Sequence, residues 1–233
     1  MIKTNIVLSI ALLAGLSSCD KAKSGSEKAS ADTDKATVVA PELPKPTKTL
    51  PTAGAAATFK DAAGTYTIDG SHTKVVFSIR HMGLSDQYGM FTGIEGSFTL
   101  DADPTASKLA LSFPTASIYT AAKKRDDHLK SPDFFDAKQF PMVEFKSTEI
   151  KSTGENTFSV TGDLSLHGAT RPVTINLTHG GSATDPDMMG GKFRVGFNGD
   201  ASFKRSDFGM NFMVGAGLDD EVNLLLSLEG TRN

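Results

Sequence analysis

Phe158-Ser159-Val160-Thr161-Gly162-Asp163-Leu164-Ser165-Leu166, then His167-Gly168, then Val173-Thr174-Ile175-Asn176-Leu177-Thr178-His179 is the stretch on which the fold turns. Phe158, Val160, Gly162, Leu164 and Leu166 recur with period two, Gly168 marks a turn, and Val173, Ile175, Leu177 and His179 resume the alternation on a return strand. The same period runs outward in both directions. Val75, Phe77, Ile79 and His81 point one way, with Val76, Ser78, Arg80 and Met82 opposite. Phe193, Val195, Phe197 and Gly199 make another face, continued by Ala201, Phe203 and Arg205, and Val222, Leu224, Leu226 and Leu228 close the series. About eight strands, mostly antiparallel, fill residues 63–233. A sandwich and a barrel both fit such a pattern. The barrel is the expected solution, because closure removes exposed edges and the glycines at 89, 93, 96, 162, 196 and 199 suit the bends of a coiled sheet. An eight-stranded barrel is just wide enough to hold one slender ligand.

One region breaks the alternation. Thr120 to Phe140 carries Lys123-Lys124-Arg125-Asp126-Asp127, then His128 and the cluster Asp133-Phe134-Phe135-Asp136. An insertion of this length in an all-β domain serves as a lid or edge cover more often than as a passive connection. It can equally plug one barrel end.

Residues 1–62 have a different character. An apolar run from Ile6 to Leu16 follows Lys3 and precedes small residues, which is the form of a secretory signal and is too short to span a membrane. Leu16-Ser17-Ser18-Cys19 resembles the bacterial lipobox. By that resemblance residues 1–18 are a lipoprotein signal peptide and Cys19 carries acyl chains such as palmitate. The chain is then exported to the cell envelope on the periplasmic side and anchored to a membrane, inner or outer. The alternative is simple cleavage with Cys19 left as a free thiol. As Cys19 is the single cysteine, a disulfide or thiol site in the folded part is not expected. Residues 19–62 are rich in Lys, Ala, Ser, Thr and Pro and too poor in large apolar groups to bury a core, so a tether is expected. About 40 residues of such chain have a typical reach of about 35 Å.

The formal charge of −3 becomes −4 once Lys3 leaves with the signal, which argues against nucleic acid as a partner. There is no HExxH, no GxSxG, no phosphate-binding glycine loop and no paired cysteine motif, so neither a metal nor a cofactor is expected. Fifteen Phe, eight Met and no Trp suit a lining for an apolar chain better than one for a sugar or nucleotide.

Five pieces in order resemble the YceI-like family: Tyr66-Thr67-Ile68-Asp69 with Ser71-His72-Thr73; Val76-Phe77-Ser78-Ile79-Arg80-His81-Met82-Gly83; Asp127 to Asp136 with Phe140-Pro141; Gly162 to Gly168; and Arg205-Ser206-Asp207-Phe208-Gly209. The resemblance implies a lipocalin-like extended antiparallel β-barrel that encloses a polyisoprenoid, such as a quinone or polyprenyl lipid, or a related amphiphile, for storage or transport. It also implies homodimers for some members. The candidate ligand-binding residues are Phe77, Ile79, His81, His128, Phe134, Phe135, Phe140, Phe145, Arg205 and Phe208. Several have a plainer role open to them: His81 as a core histidine bonded to a carbonyl, His128 as a turn or cap, Arg205 in a structural ion pair or turn, and Phe134, Phe135 and Phe140 as a plug. Two other functions remain open from the residues alone. One is an enzyme acting on a lipid with His81 or His128 as base, and the other is an interaction module with a packed interior.

Overall fold

The computed structural model describes residues 59–233. Cys19, the signal segment and the tether lie outside them. The strands are β1 Gly64–Ile68, β2 Lys74–His81, β3 Ser85–Phe91, β4 Glu95–Leu100, β5 Lys108–Pro114, β6 Met142–Ser152, β7 Thr157–Leu166, β8 Ala169–Thr184, β9 Phe193–Lys204 and β10 Glu221–Arg232, with one α-helix, α1, at Lys123–Leu129. All pairings are antiparallel. The sheet closes where β1 takes β10 on one side and β4 on the other. Ten strands make an eight-stranded barrel because two of its staves are broken. β1 and β2 lie end to end along β10, at Ile68–Gly230 and Lys74–Ser227, and β3 and β4 follow them along the next stave.

The expected inward faces are the buried ones: Phe158, Val160, Leu164 and Leu166 of β7, Val173, Ile175 and Leu177 of β8, Val195 and Phe197 of β9, and Val222, Leu226 and Leu228 of β10. The two barrel ends are filled differently. At the end where the chain enters, Phe59 lies on Phe158 (centroids 4.6 Å apart), Tyr66 stacks on Phe98 (4.9 Å) and Phe98 meets Phe197 edge-on (5.9 Å). The void left there is about 30 Å³, the room of about one water. His179 is part of this packing, 5.4 Å from the Phe197 ring. Burial pushes its pKa down, against a backbone hydrogen bond at Gly181.

The opposite end is splayed. β5 pairs with β4 as far as Ser112–Glu95 and ends at Pro114. Beyond it the backbone keeps to the edge of β3 through Ser117 Oγ, which accepts from Thr92 N (3.1 Å), and a bridge in which Met90 and Tyr119 exchange hydrogen bonds of 2.9 Å. Residues 115–141 then fill the gap as α1 and a run of turns, tied shut by Thr115 Oγ1 donating to Phe140 O (2.6 Å).

The break between β1 and β2 is held by Asp69. Its carboxylate accepts from Ser71 N (3.0 Å) and Ser71 Oγ (2.5 Å), pairs with His72 Nδ1 (2.8 Å), and receives Arg194 Nη1 of β9 (2.5 Å). The Ser71 hydroxyl above all, then His72 and Arg194, hold the Asp69 pKa well below the usual carboxylate range, although burial works the other way. An acid with a lowered folded-state pKa adds stability that is complete above its unfolded pKa of about 3.9 and drains away as pH falls through the folded value. Asp69→Asn is therefore expected to lose about 2 kcal/mol at pH 7. In urea unfolding the gap between wild type and Asp69→Asn should narrow as the pH drops below about 4. An equal gap at pH 7 and pH 3 would show that the charge plays no part.

Candidate functional site: an apolar chamber at the splayed end

The splayed end encloses a cavity of about 460 Å³, within the usual range for small-molecule sites. Its floor and walls come from the barrel: Val75, Phe77 and Ile79 of β2, Phe91 of β3, Phe113 of β5, Val143 of β6, Leu164 and Leu166 of β7, and Val222 and Leu224 of β10. Room for it is made in part by Gly89, opposite Phe77 in the β2–β3 pair. A Cβ there would stand 2.3 Å from the Phe77 ring. Leu129, Phe134 and Phe135 of the excursion close one side, and Met210, Phe212, Met213 and Leu218 of the connection between β9 and β10 close the other.

Polar groups are few among the lining residues. His81 continues the inward face of β2, is half-buried, and its ring nitrogens have no hydrogen-bond partner among the described residues. Arg125 donates through Nε to Thr120 Oγ1 (2.8 Å), through Nη1 to Gln87 Oε1 (2.9 Å) and through Nη2 to Thr120 O (2.8 Å). Two of its five N–H groups remain for a polar head. His128 Nε2 pairs with Asp133 Oδ2 (2.8 Å), and its ring meets Phe134 (5.0 Å) and Phe212 (5.5 Å), which meet each other at 5.2 Å. This three-ring cluster joins the excursion to the β9–β10 connection across the opening.

Seven candidates from the sequence line the chamber: Phe77, Ile79, His81, His128, Phe134, Phe135 and Arg205. Arg205 does so as a fastening. It is 3 % exposed and donates to the carbonyls of Asp219 (2.8 Å), Met210 (3.0 Å) and Phe212 (2.8 Å), so its fork is spent on the β9–β10 connection and not on a head group. Burial pushes its pKa down, opposed by the nearby Asp220. Phe140, Phe145 and Phe208 do not line the chamber. Phe140 packs on His167 (4.8 Å) and over Gly168, Phe145 lies across Gly162 in the barrel core, and Phe208 is sealed against Phe203 (5.2 Å). The hairpin residue His167 bonds through Nδ1 with Phe208 O (3.0 Å). Arg125, Gln87 and the Met210–Leu218 segment are chamber residues that the pattern did not mark. Gln87 was legible as the partner of Ile79 once the hairpin register is known, while Arg125 was read only as part of a charge run.

A closed eight-stranded antiparallel barrel with an apolar chamber at one end defines the lipocalin-like class of fold. Within it the chain belongs to the YceI-like domain family, whose model matches residues 66–230. A UPF0312 protein of Azotobacter vinelandii is 42% identical over 173 residues, 73% of this chain and 88% of the relative. The crystal structure of Burkholderia cenocepacia BcnA superposes with a TM-score of 0.61 at 25% identity, over 70% of this chain and 98% of that one. A polyisoprenoid binding domain from Saccharophagus degradans shares the fold at a TM-score of 0.55 and 14% identity, over 72% of this chain and 98% of that one.

The excursion hangs on one buried carboxylate. Asp126 Oδ1 accepts from Thr120 N (2.8 Å) and Thr120 Oγ1 (2.5 Å) at a site 8 % exposed. Removing it leaves both donors buried without a partner, at about 1–3 kcal/mol each. In Asp126→Ala, hydrogen exchange at amides 120–135 is expected to quicken by tenfold or more, about 1.4 kcal/mol in opening free energy, while β7 and β8 stay protected. Uniform loss of protection over the barrel would show that the excursion is no separate unit.

Proposed function

We propose that the protein binds the tail of an isoprenoid lipid in this chamber, as a carrier or store in the cell envelope, held at a membrane by acyl chains on Cys19. The observation that carries the reading is the chamber itself: about 460 Å³ walled by Phe, Leu, Val, Ile and Met, with few polar groups among them. The polyisoprenoid binding of the Saccharophagus degradans domain supports the choice of ligand class. A tail inside and a head beside Arg125 and His81 require no bond to be made or broken, so the activity is binding and not catalysis.

The volume sets the scale. A methylene taken as about the size of a water, near 30 Å³, allows about 15 carbons, or about three isoprene units. Burying them contributes about 12 kcal/mol before association losses of about 4–15 kcal/mol. One charge-assisted hydrogen bond to the head adds about 1.5–3 kcal/mol. The tail governs affinity and the head governs orientation.

Affinity for prenyl alcohols is accordingly expected to rise steeply from two to three isoprene units and then level off, since the Tyr66, Phe98 and Phe197 packing closes the far end. Titration calorimetry across the series reads this directly. A rise continuing to eight units would mean that the packed end opens, and no binding at any length would end the lipid reading.

A further inference from the structure

Among the described residues ten large apolar side chains stand in solvent, and four of them, Met82, Leu84, Phe212 and Met213, belong to two loop tips at the chamber opening. Met82 and Leu84, 63 % and 77 % exposed, form the tip of the β2–β3 hairpin directly after the chamber residue His81. Phe212 and Met213 lie in the segment Gly209–Leu218, which contains no charged residue. The two tips are one unit: Met82 N donates to Gly217 O (2.7 Å), and His81 bridges to Leu218. The charges nearest to them are paired: Arg80 with Asp86 at 3.1 Å, and Asp133 with His128 at 2.8 Å. Phe212 and Met213 also line the chamber, so the exposed tips are continuous with its wall.

An exposed apolar patch of this kind marks a protein or a membrane contact. Two observations favour the membrane. The patch is the rim of a chamber suited to an apolar tail, and such a tail resides in bilayers and barely dissolves in water. The second is where the chain enters. Phe59 packs on Phe158 at the opposite end of the barrel, so an anchor joined there by a short link would hold the opening away from the membrane. Instead about 40 residues of sequence separate Cys19 from Phe59, which is no short link.

We propose that the tips of the β2–β3 hairpin and of the Gly209–Leu218 segment form a single face that docks on a phospholipid bilayer, so that the ligand passes between membrane and chamber without entering water. The inference rests on the lipid-binding reading above. Docking makes loading collisional: its rate follows the number of encounters with membrane and not the slow escape of lipid into water.

The test uses residues 20–233, which lack the acylation site and the signal segment but keep the whole barrel, since its strands close on one another within residues 64–232. Phosphatidylcholine vesicles with one-fifth phosphatidylglycerol carry a fluorescent three-unit prenyl lipid, and uptake is followed by stopped flow. The same lipid is also supplied from ethanol. In Met82→Asn/Leu84→Glu the asparagine suits the positive φ of Met82 (52°), and neither side chain lines the chamber. Wild-type uptake is expected to rise in proportion to vesicle concentration, and the double variant to load from vesicles about tenfold more slowly. Its affinity for lipid supplied from ethanol should be unchanged. Met188→Asn/Met189→Asn, at exposed methionines in the β8–β9 connection, should load like wild type. Equal loading by wild type and the Met82/Leu84 variant, or a rate independent of vesicle concentration, would overturn docking and leave lipid binding standing. A dimer in wild type that the Met82/Leu84 variant dissolves would overturn it too, by assigning the face to a second copy. Failure to bind from either source would remove the lipid reading and docking with it.

Discussion

At Pro114 the barrel wall parts. β5 ends there on a residue with no N–H to donate, and the stave formed by β3 continues without a full ladder on its outer edge. An open edge must be covered, because unpaired backbone groups are costly to bury and hazardous to expose. Residues 115–141 cover it, loosely at Thr92 and Met90, and more firmly where Arg125 reaches Gln87 and Asp126 takes both donors of Thr120. The covering adds no strand to the sheet, and a chamber opens beneath it.

The other rim depends on Arg205 in a similar way. A buried guanidinium whose donors are taken by four loop carbonyls fixes Met210, Phe212 and the turn back to β10, and with them the second wall of the opening. Asp220, which accepts from Ser206 N (2.9 Å) and Oγ (2.7 Å), places a compensating charge nearby. At the far end, stacked rings and a short lead-in segment do the opposite job and fill the barrel. Tyr66 is central there: its hydroxyl donates to Ala62 O (2.5 Å) and accepts from Arg232 Nη2 (2.9 Å), which closes the seam between the first and last strands. One chain thus builds a solid half and a hollow half from the same alternating strands.

Most of the barrel was legible because period two leaves no freedom: once Phe158 faces inward, Val160, Leu164 and Leu166 follow. The count of eight staves was legible too, although the breaks at Asp69–Thr73 and Thr92–Ile94 were not, since they interrupt hydrogen bonding without changing which face is apolar. Half-readable were the site residues. Those on strands in phase with the core, such as Phe77, Ile79 and His81, were found by alternation. Phe140 and Phe145 looked alike in sequence but point into packing made by Gly168 and Gly162, close approaches that only the register reveals. Several motifs that carry the family resemblance turn out to be joints of the scaffold: Asp69 with Ser71 and His72 secures a stave break, and Arg205 with Ser206 secures a loop.

The central claim is that the chamber between Pro114 and the Arg205 loop receives the tail while the ring-packed end stays closed. Isotope-filtered nuclear Overhauser spectra of the labelled protein with unlabelled farnesol, a three-unit prenyl alcohol, test it most directly. The account predicts contacts from the prenyl methyl groups to Phe77, Leu166 and Val222 and none to Phe98, Phe158 or Phe197. Contacts running through to Phe98 and Phe158, or confined to the outer surface, would contradict it.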